Sequence, residues 1–218
     1  MNFKNSILAF SGGKDSVAIS KFMLDQGYKI PHVSVINKEL DYPIHIKYIE
    51  DYCKRKAVEL IFIEQKHLGI NFLKKNPKYI FPFDSKIKSN WFYKFQQLGI
   101  KKYSEKNNCS TVIYGRRTAD GNSIKSHSYV TKNGIKQYFP LRDWSNIKTM
   151  EYIKDEILSP IYEQERGLIR GTHTINIANT YQDENEHVAL NFIKSIDLNM
   201  YNNALDLYKH KLNGKSKS

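Results

Sequence analysis

The sequence predicts an α/β protein: an open, mostly parallel, twisted sheet of about five strands with helices on both faces, and a helical C-terminal part. Three observations carry this. Apolar runs of strand length alternate with helical periodicity along most of the chain. The first run, Ile7-Leu8-Ala9-Phe10, passes through Ser11-Gly12-Gly13 straight into the helical pattern Val17, Ile19, Phe22, Met23. The 218 residues suffice for one good core, and no linker-like stretch divides them.

Taken in order, the first strand covers about residues 6–10 and the first helix about 15–27, ending at Gly27. His32-Val33-Ser34-Val35-Ile36 reads as the second strand. Pro43 opens a helix to about Ala57, with Ile46, Ile49, Tyr52 and Cys53 on one side. Glu59-Leu60-Ile61-Phe62-Ile63 is the third strand. An aromatic region follows, Phe81-Pro82-Phe83 and then Trp91-Phe92-Tyr93, helical over about 86–108. Such a stretch suits a core, a lid, a nucleobase platform or a dimer face; an exposed aromatic helix would favour a homodimer. Thr111-Val112-Ile113-Tyr114 is the fourth strand and Tyr138-Phe139-Pro140-Leu141 a short fifth. Helices are expected over about 146–157, 185–196 and 200–211. The expected division is an α/β domain over 1–172 and a helical extension over 173–218 packed on it, ending in a basic tail.

Ser11-Gly12-Gly13-Lys14-Asp15-Ser16 carries the chemistry. A strand that ends in paired glycines and turns at once into a helix cradles phosphate, because the backbone can approach an anion and the first helical N–H groups point at it. Lys14 adds positive charge, and Ser11 and Ser16 add hydroxyl donors. This is not a Walker A loop: Leu8 stands where that motif needs its first glycine, and Asp15 where it needs Ser or Thr. In open α/β sheets ligands bind beyond the carboxyl ends of the strands, where the strand order reverses, and this loop is expected there.

Composition narrows the classes. No run approaches ~20 apolar residues, so no membrane partner is expected. The N-terminus lacks a secretory pattern, and Cys53 and Cys109 are too few for a disulfide scaffold or a cysteine-rich zinc site, so a reducing cytoplasm is the expected compartment. A net charge of +12 points to an anionic partner, a nucleotide, a nucleic acid or both, although a lysine-rich composition contributes to it.

The loop resembles the pyrophosphate-binding loop of the PP-loop ATP pyrophosphatase superfamily, whose fold is adenine nucleotide alpha hydrolase-like. Gly115-Arg116-Arg117-Thr118-Ala119-Asp120-Gly121 resembles the G-x-R-x-x-E-S signature of its phosphoadenylyl sulfate (PAPS) reductase branch, with Asp120-Gly121 in place of Glu-Ser. Pro140-Leu141-Arg142-Asp143-Trp144 is similar to that branch's proline-leucine-x-Asp-Trp element, and reads equally as a structural helix entry. Tyr42-Pro43 fits a further element near the adenosine, with Asn37 and Lys38 where relatives carry acid-Thr-Gly. Ser159-Pro160-Ile161-Tyr162 and Gly167 to Thr172 resemble a last segment, in which Thr172 stands for a cysteine. The resemblance spans about residues 5–172.

It implies ATP and Mg²⁺ as cofactors and cleavage of ATP between the α- and β-phosphates to adenylate an acceptor, either a small molecule or a nucleic acid. The implied catalytic residues are Lys14, Asp15 and Arg117, with Asp15 near the metal. The implied nucleotide contacts are Ser11, Gly12, Gly13, Lys14, Ser16, Asn37, Gly115, Arg116, Arg117, Asp120 and Arg170. A sulfonucleotide reductase is the first alternative. Against it, threonine cannot replace a thiolate as ligand or electron donor, and no Cys-Gly-x-His tail is present. A nucleotide-binding module without turnover is the second. His127 and His173 lie near the site in sequence as candidate proton carriers.

Overall fold

The computed structural model describes residues 3–163, 176–179 and 186–215. The chain forms two compact units. One comprises Met1–Val35, Tyr48–Ile63 and Gly99–Ser159; the other comprises Ile36–Lys47, Glu64–Leu98 and Pro160–Ser218. The expected boundary at 172/173 lies outside the described residues.

The first unit is built on the sheet. Its strands are β1 (Ser6–Ala9), β2 (His32–Ile36), β3 (Leu60–Glu64), β4 (Thr111–Ile113), β5 (Ser128–Val130) and β6 (Lys136–Tyr138), in the order β3-β2-β1-β4-β6-β5. β1 pairs in parallel with β2 and β4, and β4 in parallel with β6. β5 is antiparallel to β6 and was not expected from sequence; the sheet therefore has six strands where about five were expected.

Alternation along the strands divides the core. Leu8 and Ile113 face one side with Val17, Ile19 and Met23 of α1 (Lys14–Asp25) and Ile49, Tyr52 and Cys53 of α2 (Pro43–Lys56). Ile7 and Val112 face the other side with Val33, Ile100, Cys109 and Phe139. Gly27, at φ +79, ends α1 as a left-handed residue should.

The second unit has a separate, mostly helical core. α3 (Ile70–Lys75) and α4 (Ser85–Phe92) lead into a π-helical turn, Tyr93–Gln97, before α5 (Leu98–Lys106). The helix expected over 86–108 is thus three pieces. Trp91 and Phe95 stack at 4.6 Å in this core with Phe81, Tyr162, Leu190, Ile193 and Leu207. After α6 (Asn146–Tyr152) in the first unit and α7 (Pro160–Glu163), α8 (Glu186–Ile196) and α9 (Leu198–Lys215) supply much of this core. The helix expected over 200–211 is longer at both ends.

Candidate nucleotide site

The strand order reverses between β1 and β4. From β1 the chain builds outward to β2 and β3, then returns to lay β4 on the other side of β1. The carboxyl ends of β1 and β4 therefore lie side by side at the switch point, where open α/β sheets bind ligands, and both sequence segments singled out for phosphate chemistry emerge there.

At the end of β1, Gly12 takes φ +72, a conformation that disfavours a side chain, and Gly13 is the N-cap of α1 without a capping side chain. The first N–H groups of α1 are thus presented without a side-chain cap. The Ser16 hydroxyl donates to Gly13 O at 2.8 Å and accepts from the Ser11 hydroxyl at 3.4 Å, which ties the loop to its helix.

At the end of β4, Gly115 passes so close to α1 that a Cβ there would lie 2.3 Å from Asp15 O. This close approach delivers Arg117, which is fully buried. Its NH2 donates to Asp120 Oδ1 at 2.6 Å and to Asn146 Oδ1 at 2.7 Å, and its NH1 donates to Trp144 O at 3.2 Å. Its Nε stands 2.7 Å from Asp15 Oδ1, an ion contact too misaligned for a hydrogen bond. Lys14 Nζ lies 2.7 Å from Asp15 Oδ2 and 3.6 Å from Asp120 Oδ1. Two cations and two carboxylates thus form one cluster. Burial, and then the charge of Asp15, push the Asp120 carboxyl up from its ordinary pKa.

The cluster brings together Ser11, Gly12, Gly13, Lys14, Asp15, Ser16, Gly115, Arg117 and Asp120 of the expected residues. Arg116 points elsewhere, with its guanidinium 4.6 Å from the Tyr114 ring centre. Asn37 belongs to the second unit, where its amide donates to Gln65 O and accepts from Glu39 N. Arg170, Thr172 and His173 lie outside the described residues. His127 Nε2 sits 3.0 Å from Asp143 Oδ2 on an exposed edge.

Sequence reasoning missed Asn146 as a partner of Arg117. The available signal was its place just after the Asp143-Trp144 element. Trp144 packs edge-on against Phe22 and Tyr152, so the two earlier readings of that element meet: the ring is structural and the carbonyl orients Arg117.

Among the described residues no group of three or more His, Cys, Asp and Glu is arranged to hold a metal. Asp15 Oδ1 accepts no hydrogen bond and stands 2.7 Å from Arg117 Nε, so a hard cation carried on phosphates would take it in place of that contact. The donor set fits Mg²⁺ in that form.

The chain matches the phosphoadenosine phosphosulfate reductase domain over residues 5–188. It belongs to that family. Its PP-loop nucleotide-binding fold is found in a PAPS reductase from Candida auris, solved as a phosphate complex: the TM-score is 0.56 at 13% identity, covering 74% of this chain and 78% of that one. Two further structures are similar at lower scores. They are a predicted tRNA methyltransferase subunit from Methanocaldococcus jannaschii (0.48, 17% identity, 74% and 87% covered) and an NMN synthetase from Francisella tularensis (0.49, 14%, 94% and 85%). No curated protein matches the sequence. No helix among the described residues is long and apolar enough to cross a membrane.

Proposed function

We propose that this PAPS reductase family member binds ATP at Ser11–Ser16, cleaves it between the α- and β-phosphates, and transfers the adenylyl group to an acceptor. The carrying observation is the buried Arg117, gathered with Lys14, Asp15 and Asp120 where the strand order reverses. The β- and γ-phosphates take the N–H groups of residues 12–16, with the hydroxyls of Ser11 and Ser16 and the ammonium of Lys14 on the same oxygens. Arg117 meets charge developing at the α-phosphate. Asp15 would hold Mg²⁺, which offsets the charge of the triphosphate. An acceptor oxygen attacks the α-phosphorus in line. A new P–O bond forms as the bond to the bridging oxygen breaks, and the electron pair leaves with pyrophosphate. Positioning and charge neutralisation suffice for such a step.

The family match favours a second reading, reduction of a sulfonucleotide. Both cysteines are buried free thiols, and burial raises their pKa, that of Cys53 to about 12. Buried, protonated thiols are poor electron donors, so adenylyl transfer is preferred. Free thiols also suit a cytoplasmic location.

Calorimetric titration with Mg²⁺-ATP beside PAPS separates the two. ATP binding that is lost in Asp15→Ala, with pyrophosphate released on addition of acceptor, supports the first reading. Preference for PAPS and release of sulfite overturns it.

A further inference from the structure

The second unit carries a surface that the nucleotide site does not use. Residues 65–98 hold seven lysines and one acid, Asp84. The Asp84 carboxylate is already engaged, capping α4 by accepting from the N–H groups of Lys86 and Ile87. Among the described residues Lys75, Lys78, Lys86 and Lys94 pair with no carboxylate. The segment keeps a basic excess, although Lys66 lies 3.9 Å from Glu64 and Lys74 pairs with Asp206 at 2.7 Å.

Aromatic rings are set into this segment. Within the stretch from 81 to 95, Phe81, Trp91 and Phe95 are buried. Phe83 is not: it is 46% exposed. Two ammonium groups flank its ring, Lys88 Nζ at 5.9 Å and Lys211 Nζ at 5.7 Å from the centre. Tyr93 is also exposed. Phe83 is held from behind. Phe81 takes φ +45, strained for a bulky residue, its N–H donates to Ala178 O, and Lys211 Nζ donates to its carbonyl at 2.9 Å. The backbone is thus pinned two residues before the exposed ring.

We propose that this face binds single-stranded nucleic acid, with bases stacking on Phe83 and phosphates lying along Lys75, Lys78, Lys86 and Lys94. Stacking on an exposed aromatic beside a cationic track is how proteins hold single strands without reading their sequence. A folded protein or a duplex offers no unpaired base to the ring, and its charge alone would leave Phe83 unused. The inference stands without the adenylation reading, since no residue of the nucleotide site takes part.

Fluorescence anisotropy of the full chain with a labelled dT20 strand tests this at 50 and 200 mM salt. Binding is expected, with affinity falling steeply between the two salt concentrations. Phe83→Ala should weaken it roughly tenfold and Phe83→Trp should restore it, with melting temperatures unchanged because the ring is exposed. Lys75→Glu with Lys78→Glu should weaken binding and flatten the salt dependence. No binding at 50 mM salt would overturn the proposal. So would a Phe83→Ala variant that binds as well as the parent, or equal binding of a duplex of the same length, either of which means simple polyanion adsorption. Mg²⁺-ATP binding is measured on the same samples, so failure at one site is distinguished from failure at the other.

Discussion

Arg117 and Asp15 are in charge contact, Nε to Oδ1 at 2.7 Å, yet no hydrogen bond joins them. The guanidinium is fixed from its far end by Asp120, Asn146 and the Trp144 carbonyl. In the proposed nucleotide complex Asp15 would therefore yield to phosphate while Arg117 stays in place.

Arg117→Met should cost about 2 kcal/mol at pH 7. This is below the cost for a fully buried pair, because the Asp15 and Asp120 side chains are 21% and 27% exposed. The variant leaves two carboxylates facing each other. The loss should shrink at pH 4.5 as Asp120, whose pKa is already raised, takes up a proton. Urea denaturation at the two pH values measures both effects.

Gly115→Ala should destabilise the first unit by about 2 kcal/mol or more, since its Cβ would collide with the backbone oxygen of Asp15, which cannot swing aside. Gly27→Ala, where a Cβ meets nothing within 4 Å, should cost about 1 kcal/mol through its positive φ alone. Thermal melts of the two variants side by side separate collision from conformational strain. Equal losses would contradict the close approach.

Two buried groups give stability opposite pH slopes. His32 donates from Nδ1 to Ile30 O and accepts at Nε2 from Ser20, and burial pulls its pKa to about 4 from the ordinary 6.5. The unfolded chain binds the extra proton, so this contribution is complete above pH 6.5 and is lost as pH falls toward 4. Burial raises Asp41 to about 7, against the hydrogen bonds from Asn37 N and Asn176 Nδ2 that lower it. Here the folded chain binds the proton, so stability falls as pH rises from about 4 to 7. His32→Phe should expose the falling slope and Asp41→Asn the rising one, each up to about 1.4 kcal/mol per pH unit. Denaturation between pH 4.5 and 7.5 reads the signs.

Cys53 and Cys109 should resist alkylation by iodoacetamide at pH 8 in the folded chain and react within minutes in urea. Cys109→Ser should leave pyrophosphate release intact. Rapid native labelling, or loss of turnover in that variant, would restore thiol chemistry to consideration.

The loop of residues 11–16 was legible because its chemistry is local: paired glycines, a lysine and a strand–helix junction lie within one short stretch. Arg117 was legible as one of two candidates. What separates it from Arg116 is the rotation of the chain at the end of β4, which sends one side chain to Asp15 and the other to Tyr114. Asn146 was not legible, since it meets Arg117 across 29 positions of sequence. β5 escaped notice because Ser128-Tyr129-Val130 is too short to show alternation and exists only by pairing with β6. The aromatic stretch announced burial but not which rings were left out, and Phe83 and Tyr93 are exposed only through the packing around them.

The cluster of Lys14, Arg117, Asp15 and Asp120 is a site furnished with its own counter-ions. A small monovalent anion entering it would exchange one carboxylate partner for another of equal charge and gain nothing. A polyphosphate brings several charges on one rigid frame and can satisfy lysine, arginine and helix N-terminus together. In the proposed nucleotide complex the internal pairing would act as a filter on charge density, favouring ligands that can replace two aspartates at once over chloride and simple carboxylates.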